Sequence, residues 1–232
     1  MYSLMRKKYN TLSYIVLAAV VVYLSSVMAL VQQDINHWRI EKDISTNLVI
    51  EPGSFINIFM ISGFEGLVVD LLWLRMDEEW HKGRWYEMLP IVTAITYIQP
   101  NFLQAWELGG WHLAYNMSSY TKDKRESEQF IDEGIKFLKN GITKNRNEWE
   151  LYFNLGWIYY HKLKDYNQAV FYLKKAGRFK HPSYVDRLIA HAYRKSGDRR
   201  REAEAWKRCI ALHPDDEYNR EISNKFLNAI KG

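Results

Sequence analysis

The sequence contains one cysteine, Cys209, and only five prolines and twelve glycines in 232 residues. A single cysteine excludes an intramolecular disulfide and every metal site built from several cysteines. Because proline and glycine are scarce while aromatic residues make up 15% of the chain, a turn-rich β fold is disfavoured and helices are favoured. The chain is therefore predicted to be all-α.

The usual signatures of catalysis are also missing. The sequence has no glycine-rich phosphate loop, no nucleophilic serine between a strand and a helix, and no cluster of zinc ligands. Glu78 and His81 have the spacing of one half of a di-iron site, but such a site needs a second pair and further carboxylates, which the sequence does not supply. We expect no enzymatic activity, no cofactor and no bound metal.

The charge pattern gives no sign of nucleic-acid binding. The formal net charge is +5, but acidic and basic residues alternate along most of the chain. No basic stripe with interleaved aromatic residues stands out, as nucleic-acid recognition would require. The charged residues are interpreted as a solvated surface.

The longest apolar run, residues 12–31, has no charge, proline or glycine. About twenty such residues span the hydrocarbon core of a bilayer as a helix. The basic residues 6–8 precede the run, which predicts a cytoplasmic N-terminus and an extracytoplasmic, periplasmic remainder on a single-pass inner-membrane anchor. A cleaved signal peptide is the alternative, although its apolar core is normally about 7–15 residues long.

A repeated pattern organises the remainder of the chain. Residues 154–160 read Asn-Leu-Gly-Trp-Ile-Tyr-Tyr, and Ala169, Leu173 and Ala176 follow at helical spacing. This pattern resembles the tetratricopeptide repeat, in which two antiparallel helices occupy about 34 residues. The resemblance implies a right-handed α-solenoid of antiparallel helix pairs.

The position of small residues gives the register of the repeats. Gly110, Gly156 and Ala190 occupy the slot where the two helices of a repeat pack most closely, and Met76 occupies it in the first repeat. Gly110 and Gly156 are 46 residues apart, about twelve more than one repeat. The polar run 118–128 is predicted to hold the excess as a long loop between two helices.

These assignments divide the chain into four parts: residues 1–33 form the cytoplasmic tip and transmembrane anchor, 34–68 a juxtamembrane linker and apolar N-terminal helix, 69–216 four repeats, and 217–232 a capping helix. A terminal cap is expected because the last repeat cannot bury its own apolar face. The cap should present Tyr218, Ile222, Phe226, Leu227 and Ile230 to the repeats, with Asn219 facing away.

The stretch 54–74 is unusually apolar and is interrupted by the charged residues Glu65 and Asp70. A packed N-terminal helix of the solenoid is favoured over a second membrane span, because two carboxylates in lipid cost several kcal/mol. A third interpretation places the stretch against the membrane or a second membrane protein.

In proteins of this family the first helices line the concave surface, so the resemblance also implies a partner-binding groove. It would be aromatic over the first three repeats and basic in the fourth, which suits an extended or helical peptide with apolar anchors and an acidic end. The groove residues are Trp73, Asp77, Trp80, His81, Glu107, Trp111, Tyr115, Phe153, Trp157, Tyr160, His161, Arg187, His191, Arg194 and Lys195.

The expected function is that of a membrane-anchored scaffold or adaptor that binds protein or peptide partners in a membrane or envelope complex. The alternative is a permanent structural subunit of such a complex that docks through residues 54–74.

Overall fold

A computed structural model describes residues 65–231 and, nearer the N-terminus, residues 16, 19–20, 22–23 and 26–27. The described residues form helices and turns and contain no β-strand, which confirms the all-α prediction. Most of the proposed anchor 12–31, and all of 34–64, lie outside the described residues. Within the part that is described, no helix has the length and apolarity needed to cross a membrane.

The chain divides into two compact units, the first ending at Gln99 and the second beginning at Pro100. The described part of the first unit is a helix pair, α1 (Glu65–His81) and α2 (Trp85–Ile98). Gly83 in the turn between them has a φ of +66°, a backbone conformation that glycine adopts without strain. Leu72 and Met76 of α1 and Ile91 and Ile95 of α2 are buried in this pair.

The second unit contains three further helix pairs and a final helix. Its helices are α3 (Leu103–Trp111), α4 (Lys124–Lys144), α5 (Trp149–Ile158), α6 (Tyr166–Ala176), α7 (Ser183–Lys195), α8 (Arg199–Leu212) and α9 (Glu217–Lys231). Helix α3 continues as a π-helical turn over His112–Met117 and a short α-helical turn over Ser118–Tyr120, and α5 continues as a π-helical turn over Tyr159–Leu163.

Packing in the second unit connects near neighbours in sequence. Each helix packs on the helices beside it, α3 also contacts α5, and α7 also contacts α9. The two helices of a pair approach closely at glycine: a Cβ on Gly156 would lie 2.6 Å from Leu173 Cγ, and one on Gly110 would overlap Leu138 in the same way. These contacts give the physical reason for small residues at the closest approach of the paired helices.

The prediction of a long loop over residues 118–128 is wrong. Only residues 121–123 separate the last turn of the α3 segment from α4, and the charged residues that follow begin α4, which is 21 residues long. Asp123 caps this helix by accepting a hydrogen bond from the backbone N–H of Arg125 at 2.8 Å. Because Lys, Arg, Glu and Gln are good helix formers, the additional residues of this repeat extend its second helix.

Helix α9 covers the apolar face of the last pair with Ile222, Phe226, Leu227 and Ile230. The face differs from the predicted one at two positions. Tyr218 is exposed, whereas Asn219 is buried and donates from Nδ2 to the backbone carbonyl of Cys209 at 2.8 Å. An amide can be buried at this position because a carbonyl at the end of α8 accepts its hydrogen bond.

Candidate partner-binding groove

Two pairs of rings lie at equivalent positions of neighbouring repeats. Tyr115 stacks on Trp111, four residues before it, with ring centroids 5.5 Å apart. His161 stacks on Trp157, also four residues before it, with centroids 5.4 Å apart and planes 2° from parallel. In both helices the π-helical turn includes the second ring of the pair. Residues i and i+4 of a regular α-helix are offset by about 40° around its axis, and the wider turn changes that offset locally.

The two pairs join into one row of rings. Tyr115 stacks on His161 at 5.7 Å, and Tyr160 extends the row from Trp157 at 5.8 Å. We call these five residues the aromatic stack. It brings together five of the seven predicted groove residues of the second and third repeats.

The aromatic stack reaches solvent at one end, Trp111, and at its central ring, His161, and its other three rings are half-buried. Trp111 is 41% exposed and His161 is exposed, whereas Trp157 and Tyr160 are half-buried. The Tyr115 hydroxyl is buried and has no hydrogen-bond partner among the described residues. Burial raises the pKa of Tyr115 above its ordinary value, so this phenol is uncharged at neutral pH.

A lysine lies beside the aromatic stack. Lys162 Nζ is 4.8 Å from the centroid of the Tyr115 ring and donates to Ser118 Oγ at 3.0 Å and Ser119 Oγ at 3.2 Å. Its pKa is lowered because its surroundings are partly desolvated. Lys162 thereby places a cation–π contact and a hydrogen-bond donor next to the rings.

The other two predicted residues of these repeats, Glu107 and Phe153, occupy a separate cluster. Glu107 Oε1 accepts a hydrogen bond from Asn154 Nδ2 at 2.9 Å. Burial raises the pKa of Glu107; the Asn154 hydrogen bond opposes this effect, and the nearby Glu150 adds to it. Phe153 contacts Trp149 and Tyr184 edge to face, with centroids 5.9 and 5.3 Å away.

Three of the four predicted groove residues of the fourth repeat contact the protein's own C-terminal helix. His191 lies edge-on against Trp206 and Phe226, each at 5.0 Å, and the guanidinium carbon of Arg194 is 5.0 Å from the Phe226 ring. Arg187 Nη1 donates to Ser183 Oγ at 2.8 Å. The guanidinium of Arg187 also lies 5.3 Å from the Tyr218 ring, while Lys195 remains exposed.

The four predicted residues of the first repeat lie on α1 in the first unit. Trp80 meets Trp85 edge to face at 5.2 Å. His81 and Asp77 are both exposed and form a contact of 3.4 Å between Nδ1 and Oδ2. Trp73 is half-buried on the same helix. Glu78, which shares the di-iron spacing with His81, pairs instead with Arg75 and Lys82.

Sequence reasoning missed several side chains that contact the predicted residues, among them Lys162, Trp149 and Tyr184. Trp149 precedes Phe153 by four residues, so the i, i+4 spacing could have placed it on the same helix face. Lys162 could not have been assigned in this way, because its position over Tyr115 depends on the π-helical turn and on the packing of α3 against α5.

Part of the chain matches a known repeat, and its fold is similar to that of solved proteins. Residues 150–176, which cover α5 and α6, match the family profile described as tetratricopeptide repeat. A thermophilic TPR protein from Thermus thermophilus is similar in structure, with a TM-score of 0.51 and 14% identity over 74% of this chain and 94% of that one. The MamA protein is similar with a TM-score of 0.51 and 15% identity, over 73% of this chain and 84% of that one. No curated protein matches the sequence.

Proposed function

Because the chain carries a tetratricopeptide repeat at residues 150–176 and has the fold of such proteins, we propose that it is a scaffold that binds a protein or peptide partner on its first helices. The observation that carries the proposal is the aromatic stack. Its five rings are contributed by the first-helix segments of two adjacent repeats and form one row that reaches solvent at Trp111 and His161. Tryptophan and tyrosine are enriched among the residues that contribute most to protein binding.

The surroundings of the aromatic stack favour one kind of partner. Rings offer an apolar surface to an aliphatic or aromatic anchor of the partner, and Lys162 offers a cation beside them. Three of the four residues of the fourth repeat that were expected to hold an acidic end are in contact with α9: Arg187, His191 and Arg194. The partner is therefore a segment with an apolar anchor whose acidic group faces Lys162.

The proposal also includes the membrane. The apolar run 12–31 and the basic residues 6–8 support a single-pass anchor with the repeats on the extracytoplasmic side. A scaffold held there would recruit or stabilise proteins of a membrane or envelope complex. Co-purification from mild detergent, with and without residues 12–31, tests this part: recovery of no partner by either form would contradict it.

Replacing Trp111 and Trp157 together by alanine tests the groove. We expect partner proteins that co-purify with the wild-type chain to be lost, because truncation of a contact residue at a binding hot spot costs about 2 kcal/mol or more of affinity. Stability should fall less than the roughly 3–5 kcal/mol that truncating a buried tryptophan costs.

The matched control is Phe171→Ala, since Phe171 is 50% exposed on α6 and takes no part in the aromatic stack. The control should retain the partners. A large drop in melting temperature in the double variant would instead place both tryptophans in the core and contradict the site.

One observation favours the alternative of a permanent structural subunit. Leu67 and Leu74 are exposed on α1 and lie seven residues apart, which places them on the same helix face. A purified fragment beginning at residue 33 distinguishes the two functions: it should stay monodisperse as a scaffold, and it should aggregate without a co-expressed partner as a subunit.

A further inference from the structure

Three potential metal ligands from different parts of the last two repeats converge. His181 lies in the connection between α6 and α7, Asp186 in the first turn of α7, and His213 directly after α8. The Nε2 atoms of both histidines are 2.8 Å from the same oxygen, Asp186 Oδ2. Among the described residues, this is the one group of three or more His, Cys, Asp or Glu side chains whose ligand atoms all lie within 4.8 Å of one another.

The hydrogen-bond partners of His181 call for additional positive charge at the cluster. Its Nδ1 is 2.5 Å from the backbone carbonyl of Phe179, and its Nε2 faces the Asp186 carboxylate. A neutral imidazole carries one N–H, so it can donate to only one of these two oxygens. The side chains of His181 and Asp186 are only 7% and 3% exposed, which leaves little access for water to supply the missing partner. Either a second proton on His181 or a cation between Nε2 and the carboxylate completes the arrangement.

We propose that His181, Asp186 and His213 bind one divalent transition-metal ion of the zinc type, through the two Nε2 atoms and a carboxylate oxygen. Two imidazoles and a carboxylate are a common ligand set for zinc, and water completes the tetrahedron in sites with three protein ligands. The contact between Phe179 O and His181 Nδ1 fixes the tautomer that leaves the Nε2 lone pair for the metal, as backbone carbonyls do in known metal sites.

To accept the ion, the ligand atoms, which all lie within 4.8 Å of one another, must move to the separations of a tetrahedral site. Ligand atoms around a tetrahedral zinc ion lie about 3.3 Å apart, so each 2.8 Å contact must open by about half an ångström. The rings of His181 and His213 have centroids 5.7 Å apart at 78°, and two imidazoles that share one tetrahedral zinc have centroids about 5 Å apart. His213, with 19% of its side chain exposed, has the freedom to move and gives the ion a route from solvent.

The ion would join the start of α7 to the end of α8. Binding to the folded state alone stabilises that state by mass action, so the metal should act on the helix pair of the fourth repeat as a crosslink. Oxygen-preferring cations such as Mg²⁺ should not replace zinc at a site with two nitrogen ligands. This role is independent of partner binding by the aromatic stack.

The experiment uses the tag-free full chain in mild detergent, stripped with a chelator and titrated with ZnCl₂ or MgCl₂ by calorimetry. We expect one zinc ion per chain, a rise of several degrees in melting temperature, and no effect of magnesium. Co²⁺ should give the visible absorption of a tetrahedral site, which reports coordination independently of stability. Absence of zinc binding by the wild-type chain would overturn the proposal.

His213→Asn and Asp186→Asn should each weaken zinc binding at least about tenfold, whereas the control His161→Gln should leave it unchanged. His213→Asn is compatible with the fold, because an asparagine already adopts the same backbone conformation at the end of another helix. Asn145 ends α4 with φ −128° and ψ 64°, and His213 ends α8 with φ −129° and ψ 62°. If Asp186→Asn does not fold, the zinc affinity of His213→Asn alone tests the proposal. Unchanged zinc affinity in His213→Asn would assign the ion to other residues and overturn the proposal.

Discussion

The closest approach of α5 and α6 depends on a single hydrogen atom, the side chain of Gly156. A methyl group there would meet Leu173 Cγ at 2.6 Å and the Leu173 backbone nitrogen at 3.2 Å, so the two helices would have to move apart. We expect Gly156→Ala to lower the free energy of unfolding by about 1–3 kcal/mol, as overpacking of a core does. Chemical denaturation monitored by circular dichroism measures the loss.

Gly177→Ala is the matched control for this prediction. A Cβ on Gly177 has no neighbour closer than 3.5 Å, and its φ of −66° is open to any residue. The control should therefore be near neutral. Equal destabilisation by both substitutions would show that Gly156 is not the site of closest approach.

At the scale of single residues, the sequence predicted which small residues lie where helices pack closely. It did not predict which polar residues are buried. Gly110 and Gly156 could be placed because one repeat predicts the next. Glu202 is fully buried on α8, where it forms ion pairs with Arg199 at 3.2 Å and Arg194 at 3.9 Å. Asn219 is likewise buried. A polar side chain can be buried only where tertiary structure supplies its partner, and periodicity contains no information about that partner.

At the scale of the element, the docking of α9 makes stability depend on pH through His191. Burial, followed by the positive charge of Arg194, lowers the pKa of His191 below its ordinary 6.5; Glu202 opposes the shift, and Arg187 and Lys195 add to it. The folded state therefore binds the proton less tightly than the unfolded state. Between the lowered pKa and 6.5 the unfolded chain holds more protons, so stability falls as the pH falls through this window.

Thermal melts at about pH 7.5 and about pH 5.5 test this consequence in the wild-type chain and in His191→Gln. Glutamine removes the titrating group, so the variant should lose fewer degrees of melting temperature on acidification than the wild type. Identical losses in both proteins would mean that His191 does not contribute. Comparing the two proteins cancels the contribution of the other histidines, which both retain.

The elements differ in how far the sequence could define them. Helices α5 and α6 follow from the repeat pattern, and the residues that form the aromatic stack were predicted as one groove. The π-helical turns were not predicted, because a widened turn depends on packing between helices and has no distinct residue pattern. The sequence therefore predicted which aromatic residues of the second and third repeats belong to the groove. It did not predict the order in which their rings stack.

At the scale of the whole molecule, α9 completes the last repeat. Removal of residues 217–232 would uncover Trp206, which is fully buried and stacks on Phe226 with ring centroids 4.7 Å apart. We expect the truncated chain to melt about 10 °C lower or more, and to self-associate, because a solenoid without its cap exposes apolar surface. Differential scanning calorimetry and size-exclusion chromatography measure the two effects.

Tyr218→Ala provides the control for the truncation, because Tyr218 belongs to α9 but is exposed. This substitution should change the melting temperature little. A truncated chain that melts like the wild type and elutes as a monomer would show that α9 is dispensable for the fold.

The repeat period predicted the all-helical organisation but did not predict where the groove ends. The basic side chains Arg187 and Arg194 belong to the first helix of the fourth repeat, as expected from the period. Their contacts with Tyr218 and Phe226 arise because α9 folds back on α7. The sequence predicted that a capping helix follows the last repeat, but it did not predict that this helix lies over the groove. The capping helix is not part of a repeat, so the repeat period contains no information about its orientation.

In the second unit each helix packs mainly on its neighbours in sequence and on the next helix but one, and this pattern also bears on how the unit folds. Contacts between residues close in sequence require only short loops to close, and the entropy lost before the first native contacts form is small. Proteins of such low contact order fold on the microsecond-to-millisecond timescale. Nucleation can begin at any helix pair and extend to the next, so a chain emerging from the ribosome can form its N-terminal pairs before α9 has been synthesised.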